Sequence, residues 1–173
     1  QFIEQLALLS PIVRQEKIGS SAGGRSIDAV WISKPPPAHN ANTASLPRLT
    51  ILLVGTQHGT EPSGGEALLL IARSLALGDM KSLLDDADFI IVPNANPDGR
   101  DLQRRVNANN VNPSTDFALL SQPESRAIND LLLRVRPQVV LDVHESAILK
   151  KKTLGREGYL TDFHAQFEIG NNT

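Results

Sequence analysis

The sequence predicts an α/β fold with three layers, in which helices cover both faces of a mixed, mostly parallel β-sheet. Two observations carry this prediction. Three apolar runs, "LTILLVG", "DFIIVPN" and "QVVLDVHE", have the length and β-branched content of strands buried on both faces. Segments with helical spacing separate these runs, and an alternation of strand and helix along the chain is typical of a parallel sheet.

The N-terminal residues predict a helix and a hairpin. "FIEQLALLS" at residues 2–10 has helical spacing and ends before Pro11. "VRQEKIGSS" and "SIDAVWIS" alternate apolar and polar residues on either side of "SAGGR", which predicts two paired strands joined by a turn. We therefore expect an antiparallel hairpin at an edge of the sheet, followed by a surface loop over residues 34–48.

The next residues predict a βαβ unit and a second helix–strand pair. "LTILLVG" is followed by helix formers from about Ser63 to Leu77, and "DFIIVPN" gives the second strand. Residues 94–117 are polar and predict a long loop. "PESRAINDLLLRVR" then predicts a helix that Pro137 stops, and "QVVLDVHE" predicts a third strand buried on both faces.

Composition bounds the class of protein. A chain of 173 residues with 40% hydrophobic content amounts to about one ordinary domain and can bury a sizeable core. Lys and Arg number 17 against 19 Asp and Glu, so no basic field favours nucleic acid, and no apolar run approaches the ~18 residues of a membrane span. Because cysteine is absent, disulfides and thiolate metal sites are excluded, and a metal would be held by His, Asp or Glu.

The chain begins at Gln1 rather than Met. This favours a secreted or periplasmic protein whose signal peptide has been removed, and a trimmed recombinant chain would explain it equally well. No feature of the sequence indicates an oligomeric state.

Three potential metal ligands follow two of the predicted strands. His58 and Glu61, in "HGTE", come after "LTILLVG", and His144 ends "VVLDVHE". Because the carboxyl ends of parallel strands meet at one rim of the sheet, we expect these side chains to converge. Two imidazoles and one carboxylate, with a fourth position left for water, are what a catalytic zinc ion requires. The sequence therefore predicts a Zn²⁺ site.

An isolated His-x-x-Glu is a weak signal, because it occurs often by chance and a single histidine at a strand end is commonly structural. The residues around it strengthen the prediction. Gly55 and Gly59 allow a sharp backbone turn, and a helix that begins near Pro62 turns free N–H groups towards the site.

A set of motifs in fixed order resembles the zinc metallocarboxypeptidases of the carboxypeptidase A type. The resemblance runs from "IGSSAGGRSIDAVWIS" through "HGTEPSG", "NPDG", "RVNANNVNPSTDF" and "PESRAI" to "LDVHES", roughly residues 18–146. It implies the N-terminal part of a carboxypeptidase-like fold, with zinc held by His58, Glu61 and His144. It also places Arg105 where the family has the arginine that stabilises the oxyanion of the tetrahedral intermediate.

A guanidinium suits that role because it is always charged and offers a fork of donors. Two alternatives remain open at this point. Arg105 could be a solvated loop cation, and its neighbour Arg104 could exchange roles with it.

The chain departs from the family at one motif: where the family usually reads Asp-Leu-Asn-Arg, this sequence has Asn112, Pro113, Ser114 and Thr115. By the resemblance, Ser114 and Thr115 occupy the substrate-binding positions of the Asn-Arg pair that clamps a C-terminal carboxylate. Neither can replace the two charge-assisted hydrogen bonds of an arginine. Asn112 replaces the Asp that holds the first zinc histidine, and its amide oxygen could still accept a hydrogen bond without the negative charge.

Other residues could supply what this motif lacks. Arg100, in "NPDGRD", is the first candidate to bind a substrate carboxylate, with Arg104 and Arg126 as further candidates. Asp142 lies two residues before His144, so the two share a face of the strand and Asp142 is expected to support that histidine.

The family's general base is a glutamate on a late strand, and we expect residues 1–173 to form a single zinc peptidase-like domain that ends before it. Glu145 is adjacent to His144 and should point to the opposite face, which argues against it as a substitute base. Polar residues of the C-terminal tail are consistent with ordinary surface polarity: Glu157, Asp162, His164 and Glu168.

Three functions are compatible with these observations. The first is a zinc-dependent hydrolase that cleaves a peptide or related amide bond with metal-activated water. The second is a deacylase on the same scaffold, and the third is a non-catalytic zinc-binding module. The expected partner is a peptide or amide substrate, without nucleic acid and without a membrane span.

Overall fold

The computed structural model describes residues 1–35 and 47–145. Most of the predicted surface loop at 34–48, and the four polar tail residues considered above, lie outside the described residues. The helices are α1 (Phe2–Leu9), α2 (Pro62–Leu77), α3 (Pro97–Leu102) and α4 (Pro123–Val135), with 3-10 turns at Asp79–Asp85 and Pro113–Thr115. The strands are β1 (Val13–Ser20), β2 (Ser26–Ile32), β3 (Leu49–Gly55), β4 (Ala87–Val92) and β5 (Val139–Val143).

The strands form one sheet with the order β1-β2-β4-β3-β5. β3 pairs in parallel with both β4 and β5, whereas β2 pairs antiparallel with both β1 and β4. Four strands therefore run in the same direction, although only half of the pairings are parallel. The predicted hairpin is present at the edge of this mixed sheet.

Two apolar clusters, one on each face of the sheet, confirm the predicted three layers. Leu53 and Ile91 pack with α1 and α2 in one cluster. Leu52 and Ile90, their neighbours on the same strands, pack with α4 in the other. This alternation follows from the pleat of the strands, which turns successive side chains to opposite faces. Both faces of β3 and β4 are therefore buried, as their continuous apolar runs predicted.

β5 differs from the prediction. Its apolar run predicted burial on both faces, but Val139, Val140 and Leu141 are 46%, 49% and 36% exposed. The reason is its position: β5 pairs with β3 and forms an edge of the sheet within the described residues. An apolar run reports what a strand can bury, and it carries no information about which neighbours are present.

The predicted loop at 94–117 contains a helix. α3 begins at Pro97, and the side chain of Asn96 caps it by accepting a 2.9 Å hydrogen bond from the Gly99 N–H. The helix ends at Leu102, and the next residue, Gln103, has a left-handed backbone with φ of 51°. With six residues it is too short for apolar periodicity, so only the cap and the proline could have indicated it.

Among the described residues, no helix combines the length and the apolar character needed to cross a membrane.

Candidate metal centre

The segment between β3 and His58 is held in place by the chain that follows β4. Thr56 is buried and adopts a left-handed backbone with φ of 53°, which is uncommon for a β-branched residue. Two hydrogen bonds from Asn96 hold this segment. The Asn96 backbone N–H donates to the Thr56 carbonyl at 3.1 Å, and the Asn96 side-chain amide donates to the Gln57 carbonyl at 3.1 Å. These contacts hold the backbone before His58 in one conformation despite the uncommon φ of Thr56.

Gly59 explains why the "NPDG" motif lies beside "HGTE". A Cβ at Gly59 would overlap the backbone carbonyl of Gly99 and the N–H of Arg100. The two loops approach so closely that only glycine fits at this position. α3 thus supports the loop that carries the first histidine.

Glu61 is the N-cap residue of α2, and small residues bring this end of the helix against two strand ends. A Cβ at Gly65 would overlap the Pro93 carbonyl after β4, and one at Gly64 would lie 3.0 Å from the Val143 side chain of β5. α2 can therefore approach the sheet rim closely enough to place Glu61 between β3 and β5.

His58, Glu61 and His144, here called the metal trio, converge at this rim, with one potential ligand atom from each lying within 4.8 Å of the others. His58 Nδ1 is 2.9 Å from Glu61 Oε1, and His144 Nδ1 is 2.8 Å from Glu61 Oε2. The two imidazole rings lie 4.7 Å apart between centroids. Both histidines therefore turn the same nitrogen towards one carboxylate.

The outer nitrogen of His58 contacts two oxygens. Its Nε2 lies 3.0 Å from Asn112 Oδ1 and 2.8 Å from Ser114 Oγ. The Ser114 N–H donates to Asn112 Oδ1 at 3.1 Å, which identifies this atom as the amide oxygen, an acceptor. These acceptors favour the tautomer with its hydrogen on Nε2, in which the lone pair of Nδ1 faces the Glu61 carboxylate. That arrangement suits a cation between the two groups.

The outer nitrogen of His144 is held in a similar way. Its Nε2 lies 2.9 Å from Asp142 Oδ2, and the same carboxylate oxygen accepts a 2.6 Å hydrogen bond from the Gln57 side chain. Gln57 was not among the residues that sequence reasoning selected, and its adjacency to His58 was the signal available. It ties the loop after β3 to the end of β5.

The ionisation of the histidines suits a cation site. Burial lowers the pKa of His58, and although the Glu61 carboxylate opposes this shift, the charges of Arg105 and His144 reinforce it. This shift favours the neutral imidazole, which is the form that binds a metal ion. The hydrogen bond to Asp142 raises the pKa of His144 to about 9 against the effect of burial. The proton between His144 and Glu61 thus occupies the place of a metal ion, which would displace it on binding.

Glu61 is held as a carboxylate. Burial works to raise its pKa, but the Glu145 N–H and His144 donate hydrogen bonds that outweigh burial and lower it. The Glu145 side chain turns away from the metal trio and accepts a 3.2 Å hydrogen bond from the Ser63 N–H at the start of α2. Two imidazoles that can become neutral and one ionised carboxylate therefore form a set of ligands that suits a divalent cation such as Zn²⁺.

Arg105 is the arginine that reaches the metal trio. Its Nη1 lies 2.9 Å from Glu61 Oε1, and its side chain remains 58% exposed. Arg104 is exposed, and its backbone N–H donates to the Gly99 carbonyl at 2.8 Å. Of the two candidates left open by the sequence, Arg105 is the one in contact with the site.

The remaining predicted site residues lie at different distances from the metal trio, and only some of them contact it. Ser114 lies against His58, whereas Thr115 is exposed and donates its hydroxyl to the Asn112 carbonyl at 3.1 Å. Arg100 is turned towards α2, where its Nη2 lies 3.6 Å from a carboxylate oxygen of Glu66. The Arg126 side chain donates to two backbone carbonyls of the preceding loop.

The sequence profile of the family described as "Zinc carboxypeptidase" matches residues 1–126. The match covers the hairpin, "HGTE", "NPDG" and the loop that carries Asn112. It ends before β5, so the position of His144 is supported by the geometry of the metal trio.

Proteins with similar sequences are named as carboxypeptidases. The chain is 28% identical over 147 residues to carboxypeptidase 2 of Trichophyton rubrum, covering 83% of this chain and 27% of the relative. It is 32% identical over 150 residues to human carboxypeptidase D, covering 78% of this chain and 10% of the relative. The chain therefore spans less than a third of the length of these relatives.

Solved structures share the fold. The metallo-carboxypeptidase from Burkholderia cenocepacia superposes with a TM-score of 0.74 at 24% identity, over 84% of this chain and 39% of that one. Carboxypeptidase A from Helicoverpa armigera gives a TM-score of 0.69 at 24% identity, over 84% of this chain and 44% of that one. The fold, the metal trio and the family profile agree with the resemblance found in the sequence motifs, and the chain belongs to the zinc carboxypeptidase family.

Proposed function

We propose that the whole protein is a zinc-dependent hydrolase of the metallocarboxypeptidase type, which cleaves a peptide or related amide bond. The observation that carries this proposal is the orientation of the metal trio: two imidazole Nδ1 atoms face the two oxygens of one carboxylate, and polar partners hold both outer nitrogens. His58, Glu61 and His144 would hold the Zn²⁺. When bound, zinc lowers the pKa of a coordinated water to roughly 7 and acts as a Lewis acid.

The chain's own residues prepare this site. Asn112 and Ser114 orient the His58 ring and Asp142 orients the His144 ring, so that Nδ1 of each histidine already faces Glu61. Held by these contacts, the ligands are organised before substrate arrives.

Arg105 is assigned to the substrate carbonyl. Its guanidinium lies beside Glu61, so its fork of donors could share the negative charge that develops on the substrate carbonyl oxygen. One such donor contributes about 3 kcal/mol of transition-state stabilisation in other hydrolases. Its exposed position leaves room for a substrate on that side.

Recognition of a free C-terminal carboxylate should be weak. Ser114 directs its hydroxyl to His58, Thr115 is uncharged, and neither offers the paired donors of an arginine. The same observation supports the deacylase as a second candidate, since a substrate without a terminal carboxylate needs no such clamp. Arg100 remains the first candidate for a replacement clamp.

The test is kcat/KM of the full-length zinc-loaded protein for a peptide acid and for its C-terminal amide. We expect a ratio within about threefold, because a charged bidentate hydrogen bond of roughly 1.5–3 kcal/mol is missing. Thr115→Arg should raise the preference for the acid by about tenfold or more. A strong preference for the acid in the unaltered protein would contradict the proposal, and its loss in Arg100→Ala would identify Arg100 as the clamp.

Turnover decides between the three candidate functions. Hydrolysis of an N-acylated substrate, without hydrolysis of either peptide, would favour the deacylase. Stoichiometric zinc without turnover of any of these substrates would favour the binding module.

A further inference from the structure

A cavity of about 380 Å³ lies on the α2 face of the sheet. Its wall comes from the start of α1, the β1–β2 hairpin, the residue after β3, the first turns of α2, the loop after β4 and α3. Neither the metal trio nor Arg105 lines it within the described residues. The volume falls at the lower end of the range of small-molecule sites, roughly 300–1,000 Å³. The cavity therefore suits a small ligand.

One part of the wall accepts hydrogen bonds. The side-chain oxygen Oδ1 of Asn94 is buried, and within the described residues it has no hydrogen-bond partner. A donor from a ligand or from water would satisfy this acceptor. The Asp28 carboxylate also lines the cavity and accepts a hydrogen bond from the neighbouring Ser26 hydroxyl through one oxygen. This side of the cavity favours a ligand with a positively charged donor.

Another part of the wall is cationic. Arg100 lines the cavity, and its Nη2 lies 3.6 Å from Glu66, beyond ordinary hydrogen-bond distance. The pair is loose and partly exposed, so guanidinium donors of Arg100 remain available to an anion. A carboxylate is the planar anion that this fork of donors fits best.

The apolar part of the wall includes Phe2, Ile3 and Leu69, and Gln1 and Gln15 add uncharged polar side chains. We propose that the cavity binds a free α-amino acid with an apolar side chain. Its ammonium group would donate to Asn94 and Asp28, its carboxylate would accept from Arg100, and its side chain would pack against the apolar wall. The metal trio does not line the cavity, so leucine binding here does not require zinc; Arg100 is shared with the replacement clamp considered above.

Calorimetric titration of the full chain with L-leucine tests this site, with the His58→Ala variant confirming that binding is independent of the metal trio. We expect saturable binding of one molecule per chain in both proteins. L-leucinamide lacks the carboxylate and N-acetyl-L-leucine lacks the ammonium group, so each should bind at least about tenfold more weakly.

Variants locate the ligand. Arg100→Gln should weaken leucine binding by about tenfold or more, whereas Glu66→Gln, which frees the guanidinium, should preserve or tighten it. Arg104→Gln is the matched control and should bind as the unaltered chain does; circular dichroism checks that each variant is folded. Absence of binding at millimolar leucine, equal binding of leucinamide, or full affinity in a folded Arg100→Gln would overturn the proposal.

Discussion

Asn112 and Ser114 together hold the outer nitrogen of His58, and this arrangement was only half predictable. Asn112 was expected there as an uncharged replacement for an aspartate. The contact of Ser114 was not expected, because it depends on the 3-10 turn Pro113–Thr115, which directs Ser114 towards His58 and Thr115 towards solvent. Alternation along a sequence gives no information about the direction of side chains in such a turn.

We predict that the contacts of Asn112 and Ser114 with His58 increase the affinity of the site for zinc. Ser114→Ala should weaken zinc binding by about tenfold, because the His58 ring loses one of its two partners. Asn112→Asp should tighten binding, because a carboxylate makes the ring a more basic ligand. Competition with a chromophoric chelator measures both constants.

Thr115→Ala is the control for this pair, since within the described residues the Thr115 hydroxyl donates to the Asn112 carbonyl of its own turn. Its zinc affinity should equal that of the unaltered chain. Unchanged affinity in both Ser114→Ala and Asn112→Asp would refute the assigned role of this turn.

Asp116 gives the loop before α4 a predicted dependence on pH. Burial acts to raise its pKa, but hydrogen bonds from Ser121, Ser125 and the Gln122 N–H outweigh burial and lower it from 3.8 to about 2. A lowered pKa in the folded state stabilises the protein above the unfolded value, and this contribution disappears as the pH falls through about 2.

Asp116→Asn should therefore be less stable than the unaltered chain at about pH 6, and the difference should narrow steadily below about pH 4. Urea unfolding at a series of pH values measures it. A difference in unfolding free energy that stays constant across this range would show that the charge of Asp116 is not responsible.

At the level of elements, the contact between α3 and the "HGTE" loop determines where His58 lies. The sequence located both motifs but not their contact, which joins residues far apart in the chain. The hairpin turn extends this support: the Gly23 N–H and Arg25 donate to Asp98 of α3 at 2.7 Å and 2.6 Å. α3 is therefore fixed on one side by the hairpin and contacts the "HGTE" loop on the other.

Gly59→Ala tests this contact. The added methyl group would overlap the Gly99 backbone, so we expect a loss of about 2–3 kcal/mol in the free energy of unfolding, together with weaker zinc binding. Gly24→Asn is the matched control, because that turn position has open space and a φ of 84° that Asn tolerates. It should change stability by less than about 1 kcal/mol. A fully stable Gly59→Ala chain would mean that the two loops are not in close contact.

For the whole molecule, the sequence predicted the layers but not the strand order. Apolar periodicity identifies a strand and the faces it can bury, whereas the order β1-β2-β4-β3-β5 is set by pairings between distant segments. The convergence of the metal trio was predictable because β3 and β5 run in parallel and end at the same rim. The exposure of β5 was not predictable from its own residues.

The central claim, that the metal trio is a zinc site, is tested most directly by elemental analysis of the chain purified without chelator. We expect about one zinc ion per chain. His58→Ala and Glu61→Gln should lose the metal. Glu66→Gln should retain it, because the Glu66 carboxylate lies on the exposed side of α2. Equal zinc in the unaltered chain and in His58→Ala would contradict the account.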